Sequence, residues 1–454
     1  MKKIAIAGGG ISGLSLAYLL KQKNPDIDVT VFESDSRPGG KVYSEKTKDG
    51  YLCEKGPNGF LDNKPHTLEL CKMLAIEPVR SNEKSKKRFI LNNGILAPLP
   101  ESPGSFIKSA LLSPGGKLRL LLELTAVKGP QDETVADFII RRLGQQALDK
   151  LIDPMCSGIY AGDPYNMSIL SCFPRIKELE QQYGSLIKAL YKLKKERKKS
   201  SGGEVSATPS GTLTSFFNGA QTITDALAAS LKNSVKLSSG IKEISRQNNM
   251  YQLHTEVDTY DADVVVIATP GYAASQIIKN LDQSISELLG KITYPHLAVV
   301  CFGYSKEKVE HNLDGFGFLV PSVEGRKILG TLWDSSVFPN RASEGKALLR
   351  SMIGGAKFPE MADLDDDKIA STVLDELRSI MGLKNEPDMI KVYRWQKAIP
   401  QYRLGHAALI DAVDAALTKY PGLHLTGNSY RGIGINDCID NSFRLAEKIT
   451  ADIK

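Results

Sequence analysis

Lys3-Ile4-Ala5-Ile6-Ala7-Gly8-Gly9-Gly10-Ile11-Ser12-Gly13 stands near the start of a chain of 454 residues. The apolar run 3–7 reads as a buried strand, Gly8-x-Gly10-x-x-Gly13 as a tight turn, and 14–23 as a helix whose N-terminus faces that turn. Glycines there let the backbone approach a pyrophosphate. Asn24-Pro25 ends the helix, Val29-Thr30-Val31-Phe32 reads as a second strand, and Glu33 stands at its end, twenty residues past Gly13, placed to accept hydrogen bonds from a ribose. Strand, turn, helix, strand and acid in this order predict a dinucleotide site.

The next glycines select FAD over NAD. Ser34 follows the acid, and Arg37-Pro38-Gly39-Gly40-Lys41 supplies a second close backbone approach with two cations for the same diphosphate. Far downstream, 423–425 reads as a strand leading into Thr426-Gly427-Asn428, and Gly432-Ile433-Gly434-Ile435-Asn436-Asp437 leads into a helix. The N-terminus of that helix would stabilise negative charge on a reduced flavin ring. Any one of these clusters alone could be an ordinary loop.

At this length the chain holds roughly three domains of about 150 residues each. Lys and Arg number 58 against 52 Asp and Glu, a mild +6 that does not call for nucleic acid. The start, Met1-Lys2-Lys3 and an apolar run to Leu20, superficially resembles a secretory signal. The glycines, the strand and the lack of a clean small-residue cleavage site argue against export. No stretch approaches about 20 uninterrupted apolar residues. Cys53, Cys71, Cys156, Cys172, Cys301 and Cys438 are scattered, with no CxxC and no close Cys/His pairing, so no metal site is expected and buried thiols in a reducing compartment are.

Because flavin-binding segments lie at both ends, the FAD domain must be assembled from separated pieces. A middle piece is visible: 234–237 as a short strand passing the adenine at Val235, 252–257 as an antiparallel strand, and 263–269 as an apolar strand closing the central sheet and ending at Ala268-Thr269-Pro270. Between about 100 and 205, Phe106, Ile107, Ala110, Leu111, Leu112, Leu118, Leu120, Leu121, Leu122 and Leu124 recur at helical spacing among Lys108, Lys117 and Arg119, with a break at Pro114-Gly115-Gly116. Two short basic amphipathic helices are expected, either packed as a plain subdomain or dipping into a lipid interface. Lys188 to Lys199, running into Ser200-Ser201-Gly202-Gly203, reads as a solvated helix end and a mobile loop, with attraction to anionic lipid as a secondary reading.

Along nearly its whole length the chain resembles the protoporphyrinogen oxidases of haem synthesis, in the flavin amine oxidase-like superfamily. The resemblance is carried by Glu54-Lys55-Gly56-Pro57-Asn58-Gly59-Phe60, Met155-Cys156-Ser157-Gly158-Ile159-Tyr160-Ala161-Gly162-Asp163-Pro164, Gly315-Phe316-Gly317-Phe318-Leu319-Val320-Pro321 and Trp395-Gln396-Lys397-Ala398-Ile399-Pro400-Gln401-Tyr402. It implies an α/β fold: a discontinuous Rossmann-like FAD-binding domain (1–80, 213–285, 405–454), a mixed-sheet substrate domain (81–98, 176–212, 286–404) and an inserted α-helical, membrane-facing domain (99–175). It also implies Gly56, Pro57, Asn58 and Trp395 beside the FAD, Asn58 near the substrate ring as well, Arg88 as a propionate anchor, Gly158 facing the pyrrole nitrogens, and Leu319, Leu332 and Met352 lining the pocket; the FAD is expected to be non-covalent because no Cys or His lies in a motif suited to its attachment. Met352 stands where the family commonly has phenylalanine. The implied chemistry is six-electron oxidation of a porphyrinogen with O2 as acceptor and H2O2 as by-product, in the cytoplasm and peripheral to the membrane. A homodimer and transfer of product to a ferrochelatase are further expectations.

A porphyrinogen is a wide apolar disc with carboxylates at its edge, so an aliphatic pocket with very few cations suits it. Arg88 has a fork that suits a carboxylate, but it also ends the run Lys84-Ser85-Lys86-Lys87-Arg88, where a plain surface charge is the competing reading. Protoporphyrinogen IX is favoured over coproporphyrinogen III, whose four propionates would call for more cations. An amine oxidase or desaturase, and a non-catalytic flavoprotein, remain as alternatives; Gly434-Ile435-Asn436 supplies no aromatic cage for an amine.

Overall fold

The computed structural model describes residues 2–199, 211–248 and 250–453, apart from the side chains of Lys84, Pro103 and residues 196–199. The loop expected at 200–203 lies outside the described residues. Five parallel strands form the first sheet, in the order Val235–Lys236, Asp28–Phe32, Lys3–Ala7, Val264–Ile267, Leu423–Leu425. The strand expected to close this sheet lies inside it instead. Val264–Ile267 is buried at every residue and needs a neighbour on both sides, whereas Leu423–Leu425, with two half-buried residues, tolerates the edge. The helix Ile11–Lys23 is buried from Ile11 to Leu20, enclosed by the sheet and by the helices Thr222–Leu231 and Ile435–Asp452. Gly13 makes that packing possible, since a Cβ there would fall 2.0 Å from the carbonyl oxygen of Gly8. The expected antiparallel strand is Met250–His254, between Glu243–Gln247 and Thr259–Ala262.

A second, mixed sheet has seven strands in the order Met389–Trp395, Leu297–Ser305, Lys346–Gly354, Ile328–Leu332, Gly317–Leu319, Phe89–Asn92, Ile95–Pro98. On one face the helix Asp366–Met381 buries Ile369, Val373 and Leu377 against Val300, Phe302, Phe318, Leu349 and Ile353. Side chains alternate along a strand, so Leu319, Leu332 and Met352 project from the opposite face.

Helices from Pro103 to Lys199 form a third layer. Pro103–Lys108 and Pro114–Leu121 are the two expected short helices, the second starting at its proline behind a Ser113 cap. Leu111 and Leu112 are not on the outer surface. Their link is tied inward by a hydrogen bond from Asn92 Nδ2 to the carbonyl of Ala110 at 3.2 Å, and both leucines are buried. Of the apolar residues expected to line these two helices, Ile107, Leu118, Leu121, Leu122 and Leu124 are exposed. Among the described residues no helix is long and apolar enough to cross a membrane.

The helices Pro174–Tyr183 and Leu186–Lys199, expected within the substrate domain, pack on this layer. The cause is a buried ion network: Arg142 pairs with Glu123 at 2.6 Å and Glu180 at 2.8 Å, Lys177 pairs with Glu180 at 2.6 Å and Glu133 at 3.0 Å, and Glu123 also accepts from the backbone N–H groups of Leu186 and Ile187. Each of these ions would be costly to bury alone, so the helices that carry them must come together. Burial alone would raise the Glu180 pKa, but hydrogen bonds from Lys177, Arg142 and Arg141 hold it down at about 2. An unfolded glutamate titrates near about 4.3, so the contribution of Glu180 is complete above that value and is lost as the pH falls toward 2. Thermal melts between pH 7 and pH 3 should therefore show wild type losing more stability on acidification than Glu180→Gln. Parallel curves would mean that the network does not stabilise this layer.

Candidate active site

The glycine turn forms a cradle at the carboxyl ends of the parallel strands. Gly8 has φ of 108°, and Gly39, with φ of 105°, donates its N–H to the carbonyl of Gly9 at 2.8 Å, which brings the second glycine pair against the first. A Cβ at Gly10 would meet no atom within 4 Å, so open space lies before the first turn of the helix, Ile11-Ser12. Glu33 Oε2 accepts from the Gly9 N–H at 2.7 Å, while Oε1 accepts from the Asp35 N–H at 2.8 Å and the Ser34 hydroxyl at 3.1 Å. The carboxylate is thus fixed over the turn, with acceptor capacity left for a ribose. Val235 pairs with Val31 at the sheet edge beside it.

Arg37 stacks on the Tyr43 ring at 3.7 Å and donates to the carbonyls of Pro38 and Gly40. Lys41 donates to the carbonyl of Ala398, and burial lowers its pKa to about 8. Neither cation has a carboxylate partner among the described residues. Thr269 and Thr426 have buried hydroxyls without partners, Thr269 beside Gly8 and Ala268 and Thr426 beside Gly427. Open space at a helix N-terminus, two unpaired cations and two orphaned hydroxyls fit a dinucleotide diphosphate.

Gly434 caps the helix Ile435–Asp452 and donates its N–H to Asp437 Oδ2 at 3.1 Å. The Asn436 side chain is engaged elsewhere, with Thr67 Oγ1 and the Leu61 carbonyl, each at 2.7 Å, so this residue can offer a ligand only its backbone. The Asn428 carbonyl accepts from the Tyr402 hydroxyl at 2.7 Å, and Tyr402 is 1% exposed, so that ring offers no open aromatic wall.

The loop Gly56-Pro57-Asn58 joins the cradle to the second sheet. A Cβ at Gly56 would lie 2.1 Å from the Lys41 carbonyl oxygen, and Trp395 Nε1 donates to the Lys55 carbonyl at 2.8 Å. Leu319, Leu332 and Met352 share one sheet face, Leu319 opposite Gly330 and Gly330 opposite Met352. Gly158, on the helix Asp153–Tyr160, approaches from the helical layer so closely that a Cβ would fall 2.7 Å from Leu319 Cδ2.

Arg88 precedes the strand Phe89–Asn92. Phe89 packs into the helix-backed core, so Arg88 starts on the Leu319 side. Its side chain reaches solvent, yet desolvation lowers its pKa, partly offset by Glu101, and its guanidinium lies 5.2 Å from the Phe316 ring centre. Lys87, its neighbour, pairs with Asp314 at 2.5 Å, whereas Arg88 has no ion pair among the described residues.

Asp334 and Arg350, a buried pair at 2.7 Å with Arg350 on the same sheet face as Leu332 and Met352, were not anticipated from the sequence. Arg350 also donates to the carbonyls of Gly56 and Glu54, and Asp334 accepts from Asn58 Nδ2. The available signal was an arginine within the apolar run Ala347-Leu348-Leu349-Arg350-Ser351-Met352-Ile353.

The family profile described as "Flavin containing amine oxidoreductase" matches residues 11–450. A coproporphyrinogen III oxidase of Bacillus subtilis (strain 168) is 34% identical, covering 97% of this chain and 96% of its own length. The chloroplastic protoporphyrinogen oxidase of Oryza sativa subsp. japonica is 34% identical over 98% of this chain and 87% of its own. A crystal structure of a provisionally named protoporphyrinogen oxidase from Exiguobacterium sp. 255-15 superposes with a TM-score of 0.85 at 26% identity, covering 99% of both chains. The chain belongs to the flavin-containing amine oxidoreductases and, among them, to the porphyrinogen oxidase family.

Proposed function

We propose that this protein is an oxygen-dependent protoporphyrinogen IX oxidase with non-covalent FAD. The supporting observation is Arg88, which has no ion pair among the described residues and stands beside the sheet face that carries Leu319, Leu332 and Met352 and meets the glycine cradle through Gly56-Pro57-Asn58. Bound FAD supplies the two-electron acceptor, used three times per macrocycle, with three O2 consumed and three H2O2 released for six hydrogens removed. Arg88 holds a propionate at the edge of the disc. Leu319, Leu332 and Met352 exclude water from its face, and Gly158 allows the close approach that a side chain would block. Holding a bridging carbon against the flavin is the main task of the protein, so no acid–base triad is required. Six free, buried cysteines support a reducing cytoplasm as the compartment in this reading, and the exposed leucines of the helical layer support a peripheral contact with the membrane surface.

Coproporphyrinogen III is the second reading, favoured by the B. subtilis relative and by a Staphylococcus aureus coproporphyrinogen III oxidase 32% identical to this chain. Anaerobic mixing of the yellow protein with each porphyrinogen separates the two. Faster flavin bleaching by protoporphyrinogen IX supports the first reading, faster bleaching by coproporphyrinogen III the second, and bleaching by neither rejects both.

Arg88→Ala should cost roughly 2 to 5 kcal/mol of substrate binding, because a propionate is left unpaired in a desolvated cleft. The loss should appear chiefly in KM, at normal flavin content; an unchanged KM for both porphyrinogens returns Arg88 to the basic run. For the membrane, serine at Leu118, Leu121, Leu122 and Leu124 together should abolish co-sedimentation with anionic vesicles. High salt should only partly do so, because burial of apolar surface is not screened. Equal sedimentation of both forms would favour a plain subdomain.

A further inference from the structure

The porphyrinogen reading gives Asn58 a place beside the reacting ring but leaves unexplained the two charges buried behind it. Asp334 and Arg350 have side-chain exposures of 0% and 3% and meet at 2.7 Å. Arg350 stands in register with Leu332, two residues before Met352, on the pocket side of the sheet. Three successive carbonyls of the cradle loop are held by side chains of this sheet: Glu54 and Gly56 by Arg350 Nη1, at 3.4 and 3.0 Å, and Lys55 by Trp395. The next polar group along the loop is the Asn58 amide, whose Nδ2 donates to Asp334 Oδ1 at 3.4 Å. A carboxylate can only accept, so Asp334 dictates which end of the amide turns toward it. Asn58 Oδ1 must point away, and it has no partner although it is buried. An unmatched buried acceptor is costly and calls for a donor.

We propose that Asp334 and Arg350 are positioning residues that fix the cradle loop and aim Asn58 Oδ1 to accept a hydrogen bond from a pyrrole N–H of the bound macrocycle. This rests on the porphyrinogen reading. The four pyrrole N–H groups are the donors at the centre of such a disc, and one fixed acceptor sets its rotation and tilt while Arg88 holds its edge. Arg350 holds Asp334 in place through their 2.7 Å contact, so the pair acts on the amide without touching the substrate.

The test uses full-length, flavin-loaded protein and whichever porphyrinogen wild type oxidises. In Asp334→Asn the new amide can donate as well as accept, so Asn58 is no longer oriented. The rate of anaerobic flavin bleaching should fall about a hundredfold, as for a substrate misplaced by about 1 Å, with the resting flavin spectrum unchanged. Asn58→Ala should lose a similar factor, and the double variant Asn58→Ala/Asp334→Asn should be no slower than Asn58→Ala alone. If Asp334→Asn fails to fold because Arg350 is left unpaired, the neutral pair Asp334→Asn/Arg350→Gln replaces it in the same cycle. Multiplying losses, a full rate in Asp334→Asn or in Asp334→Asn/Arg350→Gln, or a change in the resting flavin spectrum instead of in the substrate step would each overturn the proposal. A wild type that is bleached by neither porphyrinogen would overturn the substrate reading itself, and the acceptor role with it.

Discussion

The loop from Glu54 to Phe60 has no room for a side chain at two of its glycines: a Cβ at Gly56 would lie 2.1 Å from the carbonyl oxygen of Lys41, and one at Gly59 would lie 2.1 Å from that of Thr214. On one side it is pressed against the glycine pair of the cradle and on the other against the strand Leu213–Phe216. Its carbonyls are then taken up by Arg350 and Trp395 from the second sheet. Two independently built sheets therefore meet on one piece of backbone, which close packing holds against Lys41 and side-chain hydrogen bonds hold against the second sheet. Behind this join Arg341 and Glu54, both fully buried, pair at 3.0 Å, a further charge pair that tolerates loss of neither member.

The cradle was legible in the sequence because its determinants are local. Three glycines, a helix and an acid within about thirty residues state their own geometry, and the structure places Glu33 over the turn as that spacing implies. That Leu319, Leu332 and Met352 share one sheet face was legible for a different reason. Alternation along strands puts Leu319, Leu332 and Met352 on one side whatever the strand order, once they are taken as pocket residues by family resemblance.

What was not legible depended on contacts between distant segments. Helical spacing marked Leu111 and Leu112 as apolar but could not show that a side chain on Phe89–Asn92 would draw their link inward. The position of Val264–Ile267 within its sheet depended on a partner strand more than 150 residues away. Asp334 and Arg350 are brought together by the register of Ile328–Leu332 against Lys346–Gly354, which includes a β-bulge that no single-residue pattern announces. The ion network of the helical layer escaped for the same reason: Glu123, Arg142 and Glu180 look like ordinary surface charges until their helices are packed.

The helix Ile11–Lys23, buried on every side from Ile11 to Leu20, has a consequence for synthesis. Its last cover, the helix Ile435–Asp452, and the edge strand Leu423–Leu425 are made more than 400 residues after it. Until they emerge from the ribosome an apolar helix and an unpaired strand edge stay exposed, a condition that favours aggregation and slow, non-local closure. The glycine cradle is thus the first part of the protein to be encoded and among the last to be completed.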